Sequence, residues 1–271
     1  MPAPSLRRAD LRADCSHCFA LCCTALGFSR SADFPVDKPA GTPCPNLTPA
    51  YSCGIHESLR GRGYRGCISF DCLGAGQTVS QRLFAGVGWR ERPQTRGQMF
   101  AAFAVVTQVH EMAWHLLEAQ SRAYDRDLVR RAQAHLETIA ALTGGSAEEL
   151  LAADIAALHA DVRTVLMAVS AEIRSSYEAD GSQSLSKDLA GADLRGQSLC
   201  GADLRGACLI AADLRGCDLT AVDLLGADLR DVRIEGADLS RALYLTQSQA
   251  NSSRGDARTR LPEGVDTPGH W

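Results

Sequence analysis

From residue 187 to 246 the chain places a large apolar residue at every fifth position. Leucine stands at 189, 194, 199, 204, 209, 214, 219, 224, 229 and 239, with Ile234 and Tyr244 in the same phase. Two residues earlier comes a small side chain: Ala192, Ala202, Ala207, Ala212, Ala227, Ala237 and Ala242, with Cys217 and Val222 as variants. Strand alternation has period two and helix periodicity 3.6, so a strict period of five fits neither alone. It fits a chain that turns a corner every five residues and points one large and one small residue inward from each side. Gly191, Gly196, Gly201, Gly206, Gly216, Gly226 and Gly236 permit tight corners. Four such units make a square coil, and the run predicts a four-sided β-helix of about three coils over residues 185–246.

Periodicity of three and four replaces it upstream, over 95–180. A capping box of Thr95 and Gln98 opens a helix reaching about 122, with Phe103, Val106, Val109, Ala113, Trp114 and Leu117 on one face. A second helix, about 126–143, carries Leu128, Val129, Leu136 and Ile139 and stops at Gly144-Gly145. A third opens on the Ser146/Glu149 capping box and runs to about 178. Short loops between them predict an antiparallel helical bundle. Residues 247–271 read as a cap and tail, with Trp271 docking back on the body.

The first 96 residues show no long periodic stretch. They hold eight of the eleven cysteines: Cys15, Cys18, Cys22, Cys23, Cys44, Cys53, Cys67 and Cys72. The chain shows no leader with an apolar stretch and no run of about 18 apolar residues, so a cytoplasmic protein without a membrane span is expected. In that setting the cluster favours metal or redox chemistry over structural disulfides. Thiolates are soft ligands that suit zinc or an iron–sulfur centre, and a Cys-x2-Cys turn places two sulfurs on one ion. All eight are candidate metal ligands, with His17 and His56 as further nitrogen donors, and they could fill two sites. Adjacent Cys22 and Cys23 diverge and need not serve the same ion. A module over residues 10–80, folded by zinc or iron, accounts for the shortage of apolar runs. A reactive dithiol such as Cys15/Cys18 and inert buried cysteines are the competing readings.

Two resemblances rest on these residues. Ala202-Asp203-Leu204-Arg205-Gly206 and Ala227-Asp228-Leu229-Arg230-Asp231 resemble the unit of the pentapeptide-repeat family, Ala-Asp/Asn-Leu-x-x, over about 60 residues. That resemblance implies a right-handed quadrilateral β-helix, usually capped at one end. Some members mimic duplex DNA and protect or inhibit type II topoisomerases, some of them conferring quinolone resistance. The block Cys15, Cys18, Cys22, Cys23, Cys44, Cys53-Gly54-Ile55-His56-Glu57, Cys67 and Cys72 resembles a zinc- or iron-chelating cysteine-cluster domain of small bacterial proteins. His56 stands where Tyr is common there, and Gly66 where Pro is common.

Charge narrows the functional reading. With 28 basic and 32 acidic residues the formal net charge is −4, so direct nucleic-acid binding is not expected. Residues 187–246 hold ten acids and seven bases, net −3, and three coils span roughly 15 Å at the usual sheet spacing. A turn of B-DNA is about 34 Å, which disfavours the DNA mimic. The expected protein is multidomain: a metal-binding module, a helical bundle, and a β-helix platform for an unidentified protein partner, in an interaction or regulatory role. A homodimer is compatible with it. An iron–sulfur or dithiol redox enzyme is the alternative, although no nucleophile–His–acid set is legible and an enzyme is not favoured.

Overall fold

The structure is a computed structural model that describes residues 6–180 and 186–271. The opening residues 1–5, and residue 185 where the repeat module was expected to begin, lie outside the described residues. By contacts the chain divides into two compact units: Met1–Gln120 with Val129–Val165, and Ser121–Leu128 with Leu166–Trp271.

The first unit begins with irregular chain carrying three short helices, α1 Leu21–Thr24, α2 Arg65–Ser69 and α3 Ala75–Gln77, the last continued by a π-helical turn Thr78–Leu83. The long helix α4, Arg96–Arg122, follows a 3-10 turn Pro93–Thr95. Apolar residues three and four apart put Met99, Ala102, Phe103 and Val106 on one buried face, where they pack with Leu21, Ala75, Val79, Trp89 and Leu150. Helix α5 runs Arg126–Gly144. The expected single third helix is broken in two, α6 Ala147–Ala152 and α7 Ile155–Arg174. Asp154 explains the break, because its carboxylate takes the Ala157 amide and restarts the helix as a cap. Ser146 and Glu149 do form a reciprocal capping box on α6.

The second unit contains the five-residue repeats. Among the described residues there is no β-strand: regular secondary structure is helical, and the repeats are turns joined by isolated parallel bridges such as Asp193↔Asp213, Cys208↔Asp228 and Asp218↔Asp238. The expected β-helix with walls of strand is therefore corrected. Its physical reason lies in the period. A residue with left-handed backbone recurs every five positions, from Gly191 through Gly206, Ala211, Gly216, Ala221, Gly226 and Asp231 to Gly236. Only about one residue per side stays extended enough to pair, too few for a continuous ladder. Winding is instead held by amides reaching carbonyls about twenty residues on, as in Leu204 to Asp223 (3.0 Å), Leu209 to Asp228 (3.0 Å) and Leu214 to Arg233 (2.8 Å). Leu194 through Leu239 of the five-fold phase are buried, as are Ala207, Ala212, Cys217, Val222, Val232 and Ala237.

The continued bridging of the tail and the burial of Asp223 were not anticipated, whereas the docking of Trp271 was. Segment 247–271 continues the bridging, with Arg233↔Arg254 and Asp238↔Arg260, after helix α8 Gln247–Ser252 opens on a Thr246/Gln249 capping box. Trp271 packs on Gly255 and donates from Nε1 to the Ser253 carbonyl at 3.1 Å. Asp223, read as an outward acid, is fully buried. Ser170 of α7 donates to its carboxylate at 2.5 Å, Arg205 lies 3.5 Å away, and burial pushes its pKa up.

Candidate functional site

The N-terminal cysteines hang on a scaffold assembled from the Gly74–Gln81 stretch. Gln77 accepts from the Asp14 amide and donates to the Arg12 carbonyl, Ser80 accepts from the Phe19 amide, and Gln81 donates to the His17 carbonyl. Trp89 adds a bond from its indole to the Phe19 carbonyl at 2.8 Å. The loop that carries Cys15 and Cys18 is thereby pinned from 60 to 70 residues away. Close approach requires glycine at two positions. A Cβ on Gly74, whose φ is +77°, would meet the Asp10 carbonyl at 2.6 Å, and one on Gly76 would meet Cys18 Sγ at 2.6 Å and Cys72 Sγ at 3.8 Å. Gly66 is explained likewise, because a Cβ there would run into the Phe34 ring.

Backbone amides aim at three of the sulfurs. Leu21 serves Cys18, Ile55 serves Cys53, and Gly74 and Gly76 serve Cys72, each favouring the thiolate. Burial works against ionisation and is the larger effect on all three. It is also the first cause that pushes Cys18 up to about 11, with the charges of Cys72 and Cys15 adding to it. Cys67 is likewise pushed up to about 11 by burial, then by Cys23, Cys44 and Cys53. Cys22 and Cys23 have sulfurs 4.0 Å apart. Their hydrogen bond raises Cys22 and lowers Cys23 to about 7, and Lys38 favours the Cys23 thiolate as well.

Mutual influence runs across the eight without dividing them. Cys18 feels Cys72 and Cys15, and Cys22 feels Cys18 and Cys72 as well as its neighbour. Cys53 feels Cys23 and Cys44, and Cys67 feels Cys23, Cys44 and Cys53. Cys15 lies in the field of Cys23 too, with Asp14 and Asp71 raising it further. The fold brings Cys23 and Cys44 together through the Cys44 amide, which donates to the Cys23 carbonyl at 2.9 Å, and brings Cys44 to Cys53 through the bridge Leu47↔Cys53. All eleven cysteines are free thiols.

His17 and His56, the further nitrogen donors, are both exposed. His17 is engaged with Asp14, Nδ1 to carboxylate at 2.7 Å. His110 of α4, which the sequence offers as an ordinary packed histidine, is buried and holds the Leu73 carbonyl through Nδ1 at 2.6 Å, steadying the turn after Cys72. Nothing in its local sequence distinguishes it from a packed histidine. In the second unit Cys217 is buried, while Cys200 and Cys208 are half-buried.

Among the described residues no group of three or more His, Cys, Asp or Glu side chains is assembled that could hold a metal ion. The expected metal-binding interaction and regulatory protein with a β-helix platform is thus corrected on both counts: no ready-made chelating centre and no strand-walled platform are present there. The reason for the first is electrostatic, since buried neutral thiols gain little by converging. The recurring aspartates also have a role other than an acidic field. Asp188, Asp193, Asp203, Asp213, Asp218, Asp223, Asp228 and Asp238 each accept the amide two residues on, at 2.9 to 3.2 Å, and so fold the corner that follows. Arg195, Arg205, Arg215 and Arg230 pair with the aspartates two positions before them, which leaves little of a duplex-like charge pattern.

No helix among the described residues is long and apolar enough to cross a membrane. A model of pentapeptide repeats matches residues 188–216 and 207–243, in eight copies. The similarity covers the sequence of the repeats; the strand-walled architecture it implied is the part corrected above. The whole chain is similar to the uncharacterized protein YybG of Bacillus subtilis (strain 168), 51% identical over 265 residues that cover 97% of this chain and 95% of that protein. Amide-pinned thiols, glycine-cradled sulfur and pentapeptide coils thus occur together in one chain, and that chain belongs to the family of YybG.

Proposed function

We propose that the thiols of Cys15, Cys18, Cys22, Cys23, Cys44, Cys53, Cys67 and Cys72 are ligands that zinc or iron draws together, so that ion uptake and ordering of residues 10–80 are one process. The observation that carries this reading is the approach of two sulfurs to one glycine, since a Cβ on Gly76 would meet Cys18 Sγ at 2.6 Å and Cys72 Sγ at 3.8 Å, and backbone amides favour both thiolates. Such bonds stabilise a thiolate in a buried place, where a neutral thiol has little use for them. An ion supplies what burial withholds, because its positive charge displaces the thiol protons and lets the sulfurs converge. A reducing compartment such as the cytoplasm suits the chemistry, since it keeps the ligands from pairing as disulfides. The reading assigns no partner and no catalysed reaction.

Elemental analysis and an absorbance spectrum of the full chain, purified without oxygen, test it. Zinc or iron should co-purify in stoichiometric amount, and Cys18→Ser should lower it. Protein that carries no metal and takes up none after reduction, while folding normally, would overturn the reading.

A further inference from the structure

A cleft of about 450 Å³ in the first unit is lined by no cysteine and lies between the turn 83–87, the start of α4 and the start of α6. Half-buried Leu83, Phe84 and Val87 give it an apolar floor, and Arg92, Gln98 and Glu148 line it as well. Ala85 (φ +51°) and Gly86 (φ +72°) take the turn through the left-handed region. That conformation is strained at an alanine, and it lets Phe84 and Val87 line the same cleft. The Val87 amide on the Phe84 carbonyl (3.0 Å) and the Gly86 amide on the Ser80 carbonyl (2.9 Å) close the turn.

The polar groups of this cleft are uncommitted. Among the described residues the Arg92 guanidinium, the Gln98 amide and the Glu148 carboxylate make no hydrogen bond or ion pair, with one another or with any neighbour. The carboxylates next to them in the chain are engaged: Glu91 accepts from the Tyr51 hydroxyl (2.9 Å) and Glu149 from the Ser146 amide (2.8 Å). The backbones of Arg92 and Glu148 are fixed. The Arg92 carbonyl takes both the amide (3.0 Å) and the hydroxyl (2.8 Å) of Thr95, and Glu148 sits inside the Ser146/Glu149 capping box. An apolar floor thus lies beside one unmet cation and one unmet anion too far apart to pair. That is the complement of an apolar molecule carrying one charge of each sign close together.

We propose that this cleft binds a free α-amino acid with an apolar side chain. The carboxylate lies on Arg92 and Gln98, the ammonium on Glu148, and the side chain on Leu83, Phe84 and Val87. A carboxylic acid without the ammonium would leave Glu148 unmet, and an amine without the carboxylate would leave Arg92 unmet, so the site discriminates against both. Binding is non-covalent and independent of the metal reading, since no cysteine contributes to it.

Isothermal calorimetry on the full-length, reduced chain with L-phenylalanine and L-leucine tests it. Phenylacetate, phenethylamine and L-alanine serve as analogues of L-phenylalanine that lack the ammonium, the carboxylate and the ring. L-phenylalanine should bind one to one, and each analogue about tenfold or more weakly. Its backbone amide shifts should fall in residues 83–98 and 146–148. Arg92→Gln and Glu148→Gln should each raise the Kd about tenfold or more, and Arg92→Lys, which keeps the charge, should lose less. Both side chains are exposed, so the urea midpoints of these variants should stay at the wild-type value and keep the comparison valid. No saturable binding of either amino acid at millimolar concentration would overturn the site. Phenylacetate binding as tightly as L-phenylalanine would overturn the assignment to an amino acid. Binding unaffected by both Gln variants, or shifts confined to other residues, would overturn the cleft as its place.

Discussion

In the repeat coils an amide leaving a corner finds its acceptor about twenty residues on, and the same bond recurs along the unit. In the cysteine module the corresponding work falls to single side chains, Gln77, Ser80, Gln81 and Trp89, each used once. Both regions contain little regular secondary structure around their key residues. The coils are redundant, with a buried leucine in nearly every unit, whereas the module hangs on a few long-range bonds and on thiols that repel one another once ionised. The difference shows two ways of ordering irregular chain: by repetition of one local rule, or by a ligand that supplies the missing attraction.

The sharpest way to break this contrast is to place a charge in the coil interior. Leu214 is 1% exposed, and Leu214→Asp should lower the stability of the second unit by about 3–5 kcal/mol because an unpaired carboxylate is buried. Urea unfolding followed by hydrogen exchange should place the loss in residues 186–271, with uptake of Co2+ little changed. A neutral result would mean that the leucine phase does not make the core.

A smaller change sharpens the other side. Gly76→Ala brings a methyl to within 2.6 Å of Cys18 Sγ, so about 1–3 kcal/mol of stability should be lost. The thiolate-to-cobalt absorption of Co2+-loaded protein should weaken while the coils stay protected from exchange. Unaltered absorption and stability would show that the Gly76 cradle is not needed to seat Cys18.

The smallest effect is on pH. Burial lowers His110 to about 4 and His115 to about 3, below the ordinary unfolded value near 6.5. Both are neutral in the folded protein and gain a proton on unfolding. Their contribution is therefore retained above about pH 6.5 and eroded as pH falls below it toward the folded values. Between pH 7 and pH 6 the first unit should lose roughly 1 kcal/mol for the pair. His115→Phe should halve that dependence in urea midpoints; an unchanged slope would place the protonation elsewhere. The repeat unit, which lacks a buried histidine among the described residues, should not follow the curve.

Periodic features are legible in the sequence alone. Leucine at every fifth residue fixed which side chains of the coils are buried, and the Ser146/Glu149 capping box marked the start of α6, because both depend on residues close along the chain. The sequence shows, too, which eight thiols are gathered in the first 72 residues. The strand expectation failed for a local reason visible only with backbone angles: a left-handed residue in each unit leaves about one position free to pair. Other facts needed the tertiary structure. Asp223 is buried because α7 covers it, Arg254 and Arg260 extend the bridging although the five-fold phase has ended, and Lys38 is enclosed by carbonyls that are separate loop positions in the sequence. Burial and electric field depend on what the rest of the chain brings near, and no spacing along the chain encodes that.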